Sequence, residues 1–231
     1  VPGGATSTYL FVMDEHGEMQ VAINDMAILE HLTYERLRER LDIMRDAALC
    51  FVDTNLPASS IRWLCDTVDV PLFCDPISTA KAARLHGVLG RLHTLKPNRM
   101  EAELLSGVPI RSEDDLHKAG ERLLATGLRQ VFVSLGERGV YCADCSHARL
   151  VSPLEGRLVN TNGAGDAMAA ALAWAHLQGM DLEESARAGL AAASLAVATS
   201  KTINPRLCAD ELYRRMRLFE PTARQPRGET L

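Results

Sequence analysis

The sequence predicts an α/β fold in which helices cover both faces of a mainly parallel β-sheet. Short apolar runs recur along the chain, and longer segments with helical patterning separate them; the runs are "ALCFVDTN", "VPLFCDP", "LHTLKPN" and "QVFVSLG". Buried strands that alternate with helices are typical of βαβ units and a parallel sheet. The chain has 231 residues, of which 47% are hydrophobic, so it can bury a sizeable core.

The elements follow in order from local patterns. A hairpin is predicted first, because Thr8–Met13 and Met19–Asn24 are rich in β-forming residues and flank the turn segment "DEHGE". The segments "GVYCAD" and "ARLVS" are predicted to add antiparallel strands after the fourth apolar run. The last two helices are alanine-rich, and the second opens with Asp181 and Glu184 at the spacing of a capping box. The predicted helices are Ser59–Thr67, Thr79–Leu89, Met100–Leu105, Glu113–Thr126, Asp166–Gln178 and Leu182–Thr199.

Composition and charge argue against several classes of protein. The net charge of −5 and the pI near 5.8 predict no basic surface, which argues against a nucleic-acid partner. No apolar run approaches the ~20 residues of a membrane span, and no export leader is visible, so no membrane partner is expected. The six cysteines form no disulfide framework and fit a reducing cytoplasm, which is the predicted location. The one CxxC, "CADC", has no second pair at the spacing of a zinc ribbon.

Polar groups follow each of the four apolar runs. In open α/β sheets, ligands bind outside the carboxyl ends of the strands, so these groups are candidates for a binding site. Each of them could instead cap a helix or start a turn. The candidates are Asp53 and Asn55, Asp75, Lys96 and Asn98, and Ser134 and Gly136.

The segment "NGAGDAMAAALAW" combines a glycine pair, a carboxylate and the start of a predicted helix. The backbone N–H groups of Ala164, Gly165 and Asp166 could bind an anion, because a helix N-terminus leaves such groups unpaired. A carboxylate there is expected to stay ionised and to act as a base beside a phosphoryl group. GxxxxGK[ST] and the protein-kinase motifs are absent. A tight turn that opens a structural helix would look similar.

Three segments together resemble the ribokinase-like (PfkB) family of carbohydrate and nucleoside kinases. They are "NTNGAGDA", "LKPNRMEAELLSG" and "VSLGERGVY", which occur in the family's order. The resemblance implies a ribokinase-like three-layer α/β sandwich with a mainly parallel sheet and part of a small β lid. It divides the chain into a partial lid hairpin at residues 1–26 and a core at 27–231. Within the family, "VAINDM" and "SKTINP" look most like the pseudouridine kinases.

The resemblance also implies roles for the residues around the glycine motif. Asp166 matches the catalytic base, which takes the proton from a 5′-hydroxyl group. Gly163, Ala164 and Gly165 match the anion hole for the transferring phosphate. Asn160 stands where many relatives carry an aspartate that helps to hold a monovalent cation, so activation by K⁺ is an open expectation.

For the nucleotide, the resemblance implies a second group of residues. Asn98 and Glu101 match the family's NxxE pair, which supports Mg²⁺ and phosphate, with Glu101 acting on the metal through water. Taken without the family, Asn98 could be a turn residue and Glu101 a solvated first-turn carboxylate. Three further sets of residues are matched: Ser134, Gly136 and Gly139 at the nucleotide-binding strand end, Asn204 beside the adenine, and Asn24 and Asp25 where the lid meets the acceptor.

The function that the resemblance implies is ATP- and Mg²⁺-dependent phosphorylation of a small-molecule nucleoside, with pseudouridine as the expected acceptor. Two alternatives stay open: another sugar or nucleoside kinase, and a nucleotide-binding protein with little kinase activity. By the resemblance, the chain starts in the second half of the lid, and the family's first βα units have no counterpart, so the core is expected to be incomplete on its N-terminal side. A homodimer through the lid is the expected assembly.

Overall fold

The computed structural model describes residues 1–13, 19–154, 163–199, 201 and 203–219. Within these ranges the strands are β1 (Thr8–Met13), β2 (Met19–Asp25), β3 (Cys50–Asp53), β4 (Leu72–Asp75), β5 (Thr94–Leu95), β6 (Gln130–Ser134), β7 (Val140–Asp144) and β8 (Ala148–Val151). The helices are α1 (Tyr34–Arg38), α2 (Leu41–Arg45), α3 (Ala58–Thr67), α4 (Thr79–Ala82), α5 (Arg99–Ser106), α6 (Glu113–Leu124), α7 (Ala164–Leu177), α8 (Leu182–Val197) and α9 (Ala209–Met216).

The main sheet contains six strands in the order β3-β4-β5-β6-β7-β8. Strands β3 to β6 run parallel, and β7 and β8 extend the sheet in antiparallel fashion. The predicted α/β class and the two antiparallel additions are therefore confirmed. Because β3 to β6 are parallel neighbours, their carboxyl ends lie along one edge of the sheet, which is where a ligand site is expected in this architecture.

Both faces of the sheet are covered, and the alternation of side chains shows how. In β6, Val131 and Val133 join one core cluster and Phe132 joins another. The first cluster includes Ile61 of α3 and Leu116 of α6, whereas the second includes residues of α7 and α8. Since successive residues of a strand point to opposite faces, the two clusters lie on opposite sides of the sheet. The result is the predicted three-layer sandwich.

The two alanine-rich helices pack closely against each other. A Cβ on Gly189 of α8 would lie 3.0 Å from Cγ of Met168 in α7, so there is little room for a larger side chain. The predicted capping box of α8 is present: Asp181 Oδ1 accepts from the Glu184 N–H at 2.8 Å, and Glu184 Oε2 accepts from the Asp181 N–H at 3.0 Å. The close approach at Gly189 sets how α7 packs on α8, and the capping box stabilises the start of α8.

The hairpin β1–β2 forms a separate two-stranded antiparallel sheet. Leu10 lies opposite Ile23 and Val12 lies opposite Val21 in its register, and all four side chains are exposed. The hairpin therefore carries an apolar face that the described part of the chain leaves open to solvent.

One predicted helix is wrong. The sequence predicts a helix over Thr79–Leu89, but α4 ends at Ala82 and is followed by short 3-10 turns. Gly87 has φ +80°, a left-handed conformation that a right-handed helix cannot contain. The other predicted helices are confirmed to within a few residues at each end.

A cluster of aromatic rings lies at the start of β5. The His93 ring stacks on Phe73 with centroids 5.4 Å apart, and the His176 ring meets the His93 ring edge-on at 4.6 Å. Burial, aided by the nearby His176 and Arg129, lowers the pKa of His93 to about 4. The native fold therefore holds His93 in its neutral form.

Candidate active site

The carboxyl ends of the parallel strands bring charged side chains together. Asp53 and Asp75 lie side by side in the register of β3 and β4. Lys96 follows β5, and its backbone N–H donates to the Cys74 carbonyl at 3.0 Å, which continues the ladder. The polar residues that end β3 and β4 and follow β5 therefore lie along one edge of the sheet, and their use as a binding site stays a prediction.

Lys96 and Asp75 form a buried ion pair. Lys96 Nζ lies 2.9 Å from Asp75 Oδ2, and the side chains are only 7% and 9% exposed. A buried ammonium–carboxylate pair is costly to desolvate, so its presence at a ligand edge needs a reason beyond stability. From the sequence, Lys96 is a strand-end candidate without a specific chemical role, and the available signal is that the run "LHTLK" ends on a lysine.

The N-terminus of α7 faces this ion pair. Gly163 caps the helix with φ +80°, and the first intrahelical bond runs from the Ala167 N–H to the Gly163 carbonyl at 2.9 Å. The N–H groups ahead of Ala167 have no partner within the helix by its geometry. A Cβ built on Gly165 would lie 3.7 Å from Lys96 Nζ, so the ammonium group and the helix end converge on one place. That place suits an anion.

Asp166 lies in the first turn of α7 and faces the same region. Although its side chain reaches solvent, desolvation by its surroundings raises the pKa of the carboxyl above its ordinary value. Asp75 and Asp53 raise the pKa further, and Lys96 lowers it. The sequence predicted that the helix end would favour the ionised form. The net shift runs the other way, because desolvation and the two neighbouring carboxylates outweigh the ammonium group, and this makes Asp166 a stronger base.

A cavity of about 760 Å³ opens in front of Asp166. Its walls are mainly apolar, and its polar groups are concentrated where the strands end. The lining residues are Leu29, Leu32, Phe51, Val52, Asp53, Asn55, Leu56, Asp75, Ile77, Asp166, Ala169, Ala170, Ala173, Trp174 and Leu177. A cavity of this size, with few polar groups on an apolar wall, suits a small organic ligand.

The loop after β3 is held against this cavity by a network of polar contacts. Asp53 accepts from the backbone and side-chain N–H groups of Asn55 at 2.8 and 2.9 Å, and Asn55 Oδ1 accepts from Lys81 Nζ at 2.5 Å. Arg84 donates to the carbonyls of Asn55 and Leu56 and pairs with Glu30 at 3.0 Å. The loop is thereby connected to the segment that follows the hairpin.

The NxxE pair forms a complete capping box at the start of α5. Asn98 Oδ1 accepts from the Glu101 N–H, and Glu101 Oε2 accepts from the Asn98 N–H, both at 2.9 Å. Glu101 is 2% exposed, and burial is the main cause that raises the pKa of its carboxyl. The helix-capping role that local chemistry allowed for Asn98 is therefore present, whereas the alternative of a solvated Glu101 is wrong, because its side chain is buried. The proposed support of Mg²⁺ and phosphate by this pair stays a prediction.

A second, smaller cavity of about 210 Å³ is lined by two of the residues that are predicted to bind the nucleotide, Asn98 and Ser134. It is lined by Asn98, Arg99, Met100, Ser134, Leu135 and Arg138. Asn98, in the segment after β5, meets Ser134 of β6 there through an isolated parallel bridge. The two arginine side chains at this cavity could neutralise an anion.

The glycines after β6 shape the neighbouring loop. Gly136 and Gly139 both have positive φ, at +61° and +86°. A Cβ on Gly139 would lie 2.0 Å from the Val151 carbonyl oxygen, whereas a Cβ on Gly136 would meet nothing within 4 Å. Gly139 is therefore required for the loop to pass close to β8. This requirement is a structural one, and contact with a nucleotide stays a prediction for both residues.

The remaining predicted residues lie apart from both cavities. Asn24 and Asp25 are exposed at the end of β2, and Asp25 Oδ1 accepts from the Ala27 N–H at 3.0 Å. Asn204 is buried, and its amide bonds the Leu195 carbonyl at 2.7 Å, which fixes the loop after α8. None of the three lines either cavity. Asn160 lies outside the described residues, as do the first residues of the glycine motif.

The CxxC does not form a metal centre within the described structure. Cys142 is buried in β7, and Cys145 is exposed in the turn that follows. No group of three or more His, Cys, Asp or Glu side chains among the described residues could hold a metal ion. In the same part of the chain, no helix is long and apolar enough to cross a membrane.

Comparison with known proteins agrees with this geometry. The model of the pfkB family carbohydrate kinases matches residues 1–208. The pseudouridine kinase of Escherichia coli (strain K12) is 38% identical over 209 residues, which are 90% of this chain and 67% of that protein. An uncharacterized sugar kinase of the same strain is 36% identical over 211 residues, which are 90% of this chain and 58% of that protein.

The fold comparison points the same way. Ribokinase from Thermotoga maritima superposes with a TM-score of 0.75 at 22% identity, over 92% of this chain and 70% of that one, which shows a ribokinase-like fold. The fold and the family match define a small-molecule kinase. The chain belongs to the pfkB family of carbohydrate kinases.

Proposed function

We propose that this protein transfers the γ-phosphoryl group of ATP to the 5′-hydroxyl group of a nucleoside, with pseudouridine as the acceptor. The observation that carries the proposal is the meeting of three groups beside the large cavity. The first amides of α7 converge on the Lys96 ammonium group, and Asp166, in the same helical turn, lines the cavity. The similarity to a pseudouridine kinase supports the choice of acceptor.

In the proposed reaction, Asp166 takes the proton from the acceptor hydroxyl group as its oxygen forms a bond to the γ-phosphorus. The bond from that phosphorus to the β–γ bridging oxygen breaks, and ADP leaves. Phosphoryl transfer depends chiefly on positioning and charge stabilisation. The amides of Ala164, Gly165 and Asp166 and the ammonium group of Lys96 would stabilise the negative charge on the transferring group.

The smaller cavity is the proposed place for the nucleotide, because Asn98 and Ser134 line it together with Arg99 and Arg138. Among the described residues, no group of three or more possible ligands could hold a metal ion. Mg²⁺ usually keeps several waters and binds through substrate phosphates and one or two carboxylates, so the proposal does not require such a group. Glu101 would hold the ion through water, and the ion would supply charge neutralisation on the phosphate oxygens. Potassium activation, the lid homodimer and a cytoplasmic location also belong to this proposal.

A second candidate is another sugar kinase of the same family. The uncharacterized sugar kinase is 36% identical to this chain, nearly as similar as the pseudouridine kinase. The two candidates differ in the acceptor and share the same catalytic groups.

The test is a panel of acceptors with labelled ATP: pseudouridine, adenosine, ribose and fructose. We expect pseudouridine to have the highest kcat/KM. A preference of more than about tenfold for a free sugar, a difference of about 1.4 kcal/mol in transition-state binding, would favour the second candidate. Transfer to none of these acceptors, together with measurable ATP binding, would favour a nucleotide-binding protein instead.

The catalytic assignment is tested on the preferred acceptor. We expect Asp166→Asn to lower kcat by about 10²-fold or more, the lower range for the loss of a general base, with little change in ATP affinity. Asp114→Asn is the matched control, because Asp114 also lies exposed in the first turn of a helix, α6, and lines neither cavity. Equal turnover in the two variants would remove Asp166 from the mechanism.

A further inference from the structure

The turn after β4 holds an isoleucine in a conformation that isoleucine rarely adopts. Ile77 has φ +62°, and it is the one non-glycine residue with positive φ among the residues that the structure describes. The Ser78 N–H donates to the Pro76 carbonyl at 2.6 Å, so Ile77 is the central residue of a three-residue γ-turn with positive φ. Turns of this kind are rare and strained, and a β-branched residue makes the strain larger.

Two side chains hold this turn in place. Asp75 Oδ1 accepts from the Ile77 N–H at 3.0 Å, while Oδ2 of the same carboxylate binds Lys96. The Thr54 hydroxyl donates to the Pro76 carbonyl. Strained backbone persists only where the surroundings over-determine it, and such positions cluster at functional sites.

Burial of the Ile77 side chain does not offset the backbone strain. Ile77 is 42% exposed and lines the large cavity that Asp166 also faces. A glycine or an asparagine would form the same turn with less strain. The turn alone therefore gives no reason for an isoleucine, whereas an apolar contact with a ligand in the cavity does.

We propose that Ile77 is a specificity-determining residue, whose side chain contacts the ring face of the nucleoside acceptor in the large cavity. The inference rests on the proposed function and deepens it. The apolar lining of the cavity agrees with this role, since Leu29, Leu32 and Leu56 also line it. Asp75 then serves both halves of the site, because it holds the turn of Ile77 and the ammonium group of Lys96.

The test separates the side chain from the backbone by comparing Ile77→Ala with Ile77→Gly. Both remove the apolar contact, but only Gly removes the strain. We expect both variants to raise the KM for pseudouridine by about fivefold or more, since an apolar contact in a binding pocket has this order of effect. The KM for MgATP should stay within about twofold of the wild-type value, because the nucleotide binds elsewhere. Ile77→Val should fall between the wild type and Ile77→Ala.

Two controls accompany the kinetics. Leu104→Ala removes an aliphatic side chain of nearly equal exposure, 41%, from α5 and outside both cavities, so it should leave the KM for pseudouridine unchanged. In thermal melts, Ile77→Gly should unfold about 2 °C or more above Ile77→Ala, because glycine accepts positive φ without strain.

Each result has a defined meaning. A KM raised in Ile77→Ala but restored in Ile77→Gly would overturn the inference, because the backbone and not the side chain would then matter. Unchanged KM values in both variants, or an equal rise in the KM for MgATP, would also overturn it. If the wild-type protein phosphorylates no acceptor of the panel, the proposed function itself fails, and this inference falls with it.

Discussion

Lys96→Met removes the ammonium group at the centre of the site and keeps most of the apolar stem. The change leaves the Asp75 carboxylate, which is 9% exposed, without the cation that now lies 2.9 Å away. Removing one partner of a buried ion pair costs about 3–5 kcal/mol, because an uncompensated charge stays buried. We therefore expect a loss of about 3 kcal/mol or more in the free energy of unfolding.

The same change should affect catalysis by a separate route. If Lys96 stabilises the transferring phosphoryl group, its loss should lower kcat by about 10²-fold or more, as for other charge-stabilising donors. Lys96 also lowers the pKa of Asp166, so its removal should raise that pKa further. The acidic limb of the kcat/KM profile should then move to higher pH, because the base must be ionised to accept the proton.

A double variant separates the two effects. Lys96→Met combined with Asp75→Asn carries no uncompensated charge, and the amide oxygen introduced by the second substitution could still accept from the Ile77 N–H. Stability measured by chemical denaturation should recover most of the loss, whereas turnover should not recover. Lys118→Met is the control, because Lys118 is 64% exposed and its exposed ion pair should contribute less than about 1 kcal/mol. Normal turnover in Lys96→Met, or in the double variant, would refute the role of the ammonium group.

Three further predictions concern the fold around the site. His93 has a folded pKa of about 4 and an ordinary value of 6.5, so its contribution to stability is present above pH 6.5 and is lost as the pH falls toward 4. Because solvent screens this half-buried ring, we expect about 1 kcal/mol less stability at pH 5 than at pH 8, and His93→Phe should remove that part of the difference in melting curves. Gly139→Ala should lower the free energy of unfolding in urea by about 2 kcal/mol or more, because its Cβ would lie 2.0 Å from a backbone carbonyl oxygen. Gly136→Ala, whose Cβ would meet nothing within 4 Å, should lower it by less. Ile23→Asp, on the exposed face of the hairpin at 68% exposure, should convert a lid-mediated dimer to a monomer in light scattering, and a monomeric wild type would argue against that assembly.

The parts of the site that depend on one segment could be predicted from the sequence. The glycine cap of α7, the carboxylate in its first turn and the polar strand ends are local patterns, and the parallel sheet then brings them to one edge. The NxxE segment is also a local pattern, and its residues alone could indicate either a helix cap or a nucleotide-binding pair. A capping box and a nucleotide-binding pair require the same residue types at the same spacing, and the structure shows that the first use is present.

The features that depend on contacts between distant segments could not be predicted. The turn at Ile77 needs Thr54, Asp75 and Lys96 from three different strand ends, and an isoleucine gives no local sign of positive φ. The raised pKa of Asp166 likewise depends on desolvation and on Asp75, which lies far earlier in the chain. From the local sequence only the effect of the helix N-terminus could be predicted, and that effect lowers the pKa of Asp166 instead of raising it.

The two contacts of the Asp75 carboxylate have a consequence for how the acceptor specificity of this site could change through substitutions. One oxygen holds the turn of Ile77 and the other holds the Lys96 ammonium group, which in the proposed mechanism are the acceptor wall and the charge beside the transferring group. On this proposal, a substitution that removes both oxygens of Asp75 would disturb substrate choice and turnover in one step, whereas Asp75→Asn could keep the bond to the Ile77 N–H and lose only the charge. A change of acceptor would therefore be expected from substitutions of side chains on the turn, such as Ile77, with the backbone of the turn and Asp75 unchanged.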